Sequence, residues 1–520
     1  QTCQVKATHL SGVAYSEYTS EDNANSMVIL AETVDGFYSV ASTLADAYGY
    51  IIVGGIVLPV MAAFLFMLCL RFFARLIVYL LLLLLVVFML AITVLCYIKS
   101  GMDIGGVTAS SLLDKASQNI TLTNPTLESL TSVEEGNQWI WTLAFVVMLL
   151  LTFLTLLAVI TARKKIKICI AIVAESTKVF VSMPSLMISP TWAVLAQALV
   201  SVWAIAGVAL LLTTKPETYV GALDAIPEAG SGHYVIADGL ERMRQLQKDE
   251  VTTGLAAFHL FGYLWLTQFV GAVAWTAMSG AVCHWYFFRN DPREATRVPI
   301  LRSLYRVLRY HIGSMAFGSL IIAFIQFCQC VLAYVERHTS RGNSFALKLA
   351  FKCCQLCLYC LEKTIKFITY YGFVFVALRG DNFCSACYMT FKFIVSNPVQ
   401  VSMNSLVTRL LTLSTIFTIP VGCAIGTYVY IDRQTSIVDA IYPAAAAFLL
   451  GAFVTQACMG VFECVVTTVF VCCFRDASLY NGKYMSAAMR KAFGIDATPD
   501  AGGEPQEGGD APQEGYTQKV

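Results

Sequence analysis

Long apolar runs separated by short polar ones set the pattern of this chain. Nine blocks lie at 49–70, 76–98, 138–160, 190–212, 254–288, 311–335, 350–378, 405–430 and 440–474. A helix needs about 20 mainly apolar residues to cross the hydrocarbon core of a bilayer, and each block has that length. The pattern predicts an all-α polytopic membrane protein with about nine transmembrane helices. Residues 1–48 read as an extracellular segment and 49–474 as the transmembrane domain. Residues 475–496 read as a cytoplasmic helix or extension. Residues 497–520, rich in Gly, Pro, Glu and Gln, read as a disordered cytoplasmic tail. No internal repeat is visible.

The polar interruptions carry an orientation. Arg71 and Arg75 fall between blocks one and two and read as a tight turn. Arg163, Lys164, Lys165 and Lys167 follow block three, and Arg289, Arg293, Arg297, Arg302, Arg306 and Arg309 follow block five. If the blocks alternate, these three loops share one side, and the excess of Lys and Arg makes that side cytoplasmic. The carboxyl terminus is then cytoplasmic and the amino terminus outside. The sequon Asn119-Ile120-Thr121 falls in an outside loop, which predicts glycosylation at Asn119. One loop opposes this scheme, since 336–348 carries Arg337, Arg341 and Lys348. Block seven also holds Glu362, Lys363 and Lys366, which are costly at the bilayer centre. That predicts that block seven lies partly on the cytoplasmic surface.

The stretch from Arg163 to Ser189 is amphipathic and interrupted by Pro184, with Pro190 just beyond. Two readings are open. It is a surface helix joined to block four, or a proline-broken helix whose free carbonyls face a ligand.

Composition sharpens the class. Apolar residues make up 57%, charged residues 13%, and mean hydropathy is +0.66. A soluble domain averages about 25% charged residues. A net charge of +1 gives no reason to expect nucleic acid. The sequence starts at Gln1 rather than Met, which suggests an upstream piece, and shows no signal peptide. Of the 18 cysteines only Cys3 falls outside, so an internal disulfide framework is not expected. Cys353, Cys354, Cys357, Cys360, Cys384 and Cys387 have CxxC spacings. They sit among Leu, Tyr and Phe, and read as membrane-facing thiols rather than zinc ligands.

No nucleotide loop, H-E-x-x-H, G-x-S-x-G or kinase motif occurs, so neither an enzyme nor a cofactor is expected. Block five is the richest segment. Phe261, Trp265, Gln268, Ala272 and Trp275 recur at helical spacing, and Ser279 extends the face by one turn. A quaternary ammonium ion has no N–H to donate and is held by aromatic faces. This stripe therefore reads either as the wall of an amine site, with Gln268 offering its amide, or as helix packing. Other polar groups within blocks are Gln326 and Gln329, His311 at the start of block six, and Glu463 in block nine. Glu463 could balance a cation, carry a proton or act as a structural partner. Glu175 and Lys178, at i and i+3, predict a local pair.

Several stretches together resemble the choline transporter-like family (solute carrier family 44). They are LRFFARLIVYLLLLL, RKKIKICIAIVAESTKVFVSMPSLMISP, HLFGYLWLTQFVGAV, RYHIGSMAFGSLI, CLYCLEKTIKF, FCSACYMTFKF and LYNGKYMS, which sample the chain from Leu70 to Ser486. The resemblance implies a ten-helix carrier with cytoplasmic termini, of which nine helices fall in this chain. It also implies transport of choline, and in some members ethanolamine, for phospholipid synthesis, with a plasma-membrane location. Expected partners are that substrate and membrane lipids. Two departures stand out: the outside amino-terminal region is short, and Thr467 and Thr468 occupy positions where an acidic residue is expected. A non-transporting scaffold or receptor, another organic cation, and thiamine pyrophosphate are the competing readings.

Overall fold

A computed structural model describes residues 40–100, 138–213, 248–289, 299–339, 345–434 and 439–495. The sequon at Asn119, Cys3, Arg293, Arg297, Arg341 and the tail at 497–520 lie outside the described residues. So do most of the amino-terminal segment and of the two long loops. Helices make up the architecture, and no strand occurs among the described residues. In chain order they are α1 (Tyr48–Ser100), α2 (Gln138–Thr161), α3 (Arg163–Ser182), α4 (Ser189–Thr213), α5 (Lys248–Phe288) and α6 (Pro299–Arg337). There follow α7 (Phe345–Arg379), α8 (Phe383–Ser396), α9 (Pro398–Gln434), α10 (Ile441–Leu479) and α11 (Ala487–Phe493). Among the described residues seven helices are long and apolar enough to cross a membrane: α1, α2, α4, α5, α6, α9 and α10.

That number differs from nine for two physical reasons. Blocks one and two form one helix of 53 residues, so Arg71 and Arg75 occupy no turn. No glycine or proline occurs between Pro59 and Ser100, and nothing in LRFFARL breaks a helix. These two arginines therefore drop out of the set of basic loops. Block seven does form a helix, α7, of 35 residues. Its interior charges keep it from qualifying by composition, and Glu362 and Lys366 are satisfied inside the protein, as described below.

Buried residues of α1 make a narrow stripe: Pro59, Ala63, Met67, Leu70, Ala74, Val78 and Leu82. Steps of three and four keep them on one helix face. Near its start, Gly54 and Gly55 bring the backbone close to Thr427 of α9 and Leu450 of α10, the small-residue approach that helices use where hydrocarbon gives no drive to associate. Its second half pairs antiparallel with α2. Lys99 lies 4.8 Å from the Trp141 ring, Tyr97 5.4 Å from the Phe145 ring, and the Thr93 and Thr152 hydroxyls bond at 2.9 Å. The outer faces of this hairpin are exposed Leu, Val and Phe, a surface suited to lipid.

Two helices form the centre. In α10, 78% of the most apolar window is buried, and in α5 56%, against 33% or less in the other spans. α5 packs on α4, α6, α7 and α10, while α10 packs on α9, α1, α3 and α5. α3 is not a surface helix. Ile166, Cys169, Ile172, Val173, Val179 and Phe180 are buried, because α1, α9, α10 and α11 all pack against it. The 3-10 turn Pro184–Met187 then redirects the chain into α4. Its Leu186 carbonyl is bonded by the Ser189 hydroxyl at 2.6 Å, so this proline break does not leave that carbonyl free.

Gly318 marks the tightest aromatic contact in α6. A Cβ there would stand 2.6 Å from the Phe383 ring and 2.8 Å from the Phe373 ring. Gly318→Val is expected to destabilise the bundle by about 1–3 kcal/mol through overpacking. Thermal melting of the detergent-purified protein measures this, with Gly313→Ala, which has no atom within 4 Å of its added Cβ, as the neutral comparison.

Candidate functional site

A cavity of about 1000 Å³ lies between α4, α5, α7, α9 and α10. Along α4 its wall runs from Ser189 to Ser201, and along α10 from Phe453 to Thr467. These stretches correspond to about 18 and 21 Å at 1.5 Å per residue, so the cavity extends through much of a bilayer's depth. Its chemistry is mixed. Trp275, Phe367, Tyr370 and Tyr371 supply aromatic surface, Glu463 a carboxylate, and Lys363, Lys366 and Arg409 positive charge. Arg409 interacts electrostatically with Glu463 across the wall.

Two local arrangements fix the aromatic corner. The Trp275 indole N–H donates to the Tyr370 carbonyl at 3.1 Å, and the two rings meet edge to face at 4.9 Å. Asn404, buried on α9, is the side-chain partner of the Tyr371 hydroxyl, while its Oδ1 is buried without a hydrogen-bond partner. A buried acceptor left unpaired costs about 1–3 kcal/mol, so an acceptor at a cavity wall suits a donor brought by a ligand.

The stripe on α5 divides. Its outer half faces α6: Phe261 meets Phe327 edge-on at 5.5 Å, Trp265 Nε1 donates to the Ala316 carbonyl at 3.1 Å, and Gln268 Nε2 donates to Gln326 Oε1 at 3.1 Å. None of Phe261, Trp265, Gln268 and Gln326 lines the cavity; Trp275 and Glu463 do. Ser279 turns toward α10 and contacts the Cys464 sulfur at 3.4 Å, with Thr468 Oγ1 donating to its hydroxyl at 3.2 Å. The structure thus brings together Trp275 and Glu463, and separates them from the other four.

Of those four, Gln268 and Gln326 belong to a polar ladder that explains block seven. Gln326 and Gln329 donate to the two carboxylate oxygens of Glu362 at 2.9 and 3.1 Å, and Lys366 pairs with Glu362 at 2.7 Å. Gln268 extends the ladder to α5. An i,i+4 ion pair and two amides satisfy Glu362 and Lys366 within the bundle, while Lys363 is exposed, 5.0 Å from the Tyr359 ring. Lys366 stands at the junction, held by Glu362 and also lining the cavity. Sequence reasoning passed over Tyr370, Tyr371, Asn404 and Arg409, and read Lys366 only as a charge costly to bury. The Glu362–Lys366 spacing and the Tyr370-Tyr371 pair were visible signals. That Asn404 and Arg409 face the same space is decided by α9 packing.

The expected Glu175–Lys178 pair is present at 2.7 Å, with further partners described below. Cys353, Cys354, Cys357, Cys360 and Cys384 are exposed on their helices, and no set of three or more His, Cys, Asp or Glu comes together as a metal site among the described residues.

The cavity in this helical membrane bundle is deep, walled by aromatic, amide and charged side chains, and of a size to hold a small solute. The chain belongs to the plasma-membrane choline transporter family, whose pattern matches residues 146–478. Among curated proteins it is similar to choline transporter-like protein 2 of Bos taurus, at 24% identity over 92% of this chain and 72% of that one. It is also similar to choline transporter-like protein 2 of Xenopus laevis, at 25% over 85% of this chain and 65% of that one. With choline transporter-like protein 4 of Homo sapiens the identity is 27%, over 72% of this chain and 57% of that one. The chain spans about half to two thirds of the length of several relatives it matches, including 46% of choline transporter-like protein 1 of Caenorhabditis elegans.

The ladder predicts strong non-additivity. Glu362→Gln alone leaves Lys366 as an unpaired cation and is expected to cost about 3–5 kcal/mol, whereas Glu362→Gln with Lys366→Met is expected to cost less than that single change. Melting of the three variants and the parent closes this cycle. Equal costs for the single and double variants would mean that the pair is not coupled.

Proposed function

We propose that this chain carries choline, or a close relative such as ethanolamine, across the plasma membrane or an organelle membrane to supply phospholipid synthesis. The observation that carries the reading is the cavity itself, with an aromatic corner, a carboxylate and an unpartnered amide oxygen on one continuous wall. The trimethylammonium group would rest against Trp275 and Tyr370, where a desolvated cation–π contact is worth about 2 kcal/mol. Glu463 would offset its charge. The choline hydroxyl would donate to Asn404 Oδ1, the role first assigned to Gln268. Membership of the family and the names of its relatives support the substrate class.

The end of the bundle bearing Arg289 is proposed to face the cytoplasm, with the carboxyl terminus there. Its support is positive charge: Arg163, Lys164, Lys165, Lys167, Arg289, Arg302, Arg306, Arg490 and Lys491 fall at the ends of helices on that side. Glycosylation at Asn119, which lies outside the described residues, is proposed on its sequon alone. With that orientation the membrane potential drives a carried cation inward by about 2.3 kcal/mol per 100 mV, so energetics requires no coupling ion. Glu463 is the candidate for charge balance or for a transported proton.

A second reading is favoured by the same wall. With Lys366 paired to Glu362 and Arg409 facing Glu463, Lys363 adds a further positive charge to it. That suits an amine that also bears an anionic group, thiamine pyrophosphate among them.

Uptake of labelled choline into proteoliposomes tests the main reading. Uptake that rises with an inside-negative potential supports it, while uptake indistinguishable from empty vesicles overturns it. Inhibition by a phosphorylated amine in preference to choline would favour the second reading. Trp275→Leu is expected to weaken choline uptake about tenfold, the loss of about 1.4 kcal/mol of ring interaction. Trp275→Phe should retain part, and Trp265→Leu should stay within about twofold of the parent, since Trp265 lies outside the cavity wall. If uptake follows a pH gradient, Glu463→Gln is expected to remove that response.

A further inference from the structure

One end of the cavity is closed by solid protein. Its wall stops at Ser189, Met278 and Thr467. Beyond that level Val469, Phe470, Cys472 and Cys473 of α10 are buried, and so are Ala281, Val282, Cys283 and Tyr286 of α5. Under this plug lies a cluster joining three segments remote in sequence. Glu175 of α3 is 3% exposed. Its carboxylate accepts from Lys178 Nζ at 2.7 Å, from the Ser486 hydroxyl at 2.8 Å and from Arg289 Nη1. Arg289, just past α5, also donates through Nη2 to the Tyr484 carbonyl at 2.6 Å, and its guanidinium lies 5.0 Å from the Trp285 ring. The Tyr286 hydroxyl and the Tyr484 backbone N–H both donate to Asp476 Oδ2, at 3.0 and 3.1 Å.

The local sequence builds this cluster. The turn after α10 uses Asn481 at φ +48° and Gly482 at φ +72°, which folds 480–486 back beneath the bundle. α11 follows, with Met485 and Met489 buried and the helix packed on α3. Burial alone would raise the Glu175 carboxyl, but hydrogen bonds from Lys178, Arg289 and Ser486 outweigh it and hold the group below its ordinary range. Glu175 is therefore charged at neutral pH. Ion pairs this buried lose much when one partner is removed, because the other stays buried and uncompensated.

We propose that Glu175, Arg289 and the 480–486 turn form the latch of a closed gate, and that the bundle must break the Glu175–Arg289 pair to open its cavity toward this end. The inference rests on the carrier reading, since only a carrier has reason to open this plug. It assigns the carboxyl-terminal turn and α11 a part in setting the balance between the two facing states. Ser486 and Tyr484 hold that segment in the pair only while the gate is shut.

Native thiols report the state of the gate. Cys472 and Cys473 lie inside the plug at 0% exposure, whereas Cys96 is buried in the α1–α2 hairpin far from it in the fold. The full chain in detergent is treated with N-ethylmaleimide, without substrate, and labelling of each cysteine peptide is followed by mass spectrometry. Glu175→Gln and Ser486→Ala are each expected to speed labelling of Cys472 and Cys473, Glu175→Gln by about tenfold, while Cys96 keeps its parental rate. The exchanged pair Glu175→Arg with Arg289→Glu should return the rate toward the parent. Parental rates at Cys472 and Cys473 in Glu175→Gln would overturn the latch, and so would equal acceleration at Cys96, which signals general loosening. Because no substrate is present, this result stands apart from whether choline is carried.

Discussion

Hydrocarbon offers polar groups no partner, and the need to satisfy them inside the protein shapes this bundle more than any single contact. Glu362 within α7 illustrates it. A lone carboxylate there would be expelled or neutralised, yet Lys366 and the amides of Gln326 and Gln329 occupy its oxygens. That arrangement in turn fixes how α6 and α7 face each other. Gln268 then ties both to α5. A set of charges that looks unfit for a membrane becomes the connection between three helices.

The same requirement separates the two kinds of polar residue in the interior. Most buried hydroxyls are spent within their own helix, as Ser176 on the Ile172 carbonyl and Thr390 on the Ala386 carbonyl. These are structural and need no ligand. The cavity wall is different, because Asn404 Oδ1 is buried and unpaired, and because Glu463 and Arg409 face a common space. Polar groups left with capacity to bond, beside aromatic surface, are what a carrier of a small amine needs. Thr467, where the family resemblance led to expectation of an acid, lies on this wall one turn from Glu463. Glu463 is therefore the carboxylate on this wall among the described residues.

Packing is uneven along the bundle axis, and this unevenness gives the fold its directionality. On the Arg289 side α10 packs on α5 and α3, with Phe180 stacked on Phe462 at 6.3 Å and Phe393 of α8 meeting Phe470 and Phe474 edge-on at 5.5 and 5.8 Å. Above it the cavity lies among α4, α5, α7, α9 and α10. Dense packing and charge thus close the Arg289 end of the cavity. Choline as the cargo remains the proposal that this geometry and the family support together.

Much of the class was legible from the chain alone. Hydrophobic runs fixed a helical membrane protein because a backbone in hydrocarbon must bond internally, and helices achieve this within one segment. The amphipathic Arg163–Ser182 helix, its proline end and the Glu175–Lys178 pair also followed from local spacing. Tertiary structure decided the rest. Blocks one and two became one helix because no breaker separates them, while an apolar count read the two arginines as a turn. The stripe on α5 looked like one site, yet α6 claims Trp265 and Gln268 while only Trp275 reaches the cavity. Asn404 and Arg409 come from α9 and Lys366 from α7, and only packing brings them to one cavity. Helical period tells which residues share a face, but which neighbour meets that face depends on long-range packing, and there the candidate site was settled.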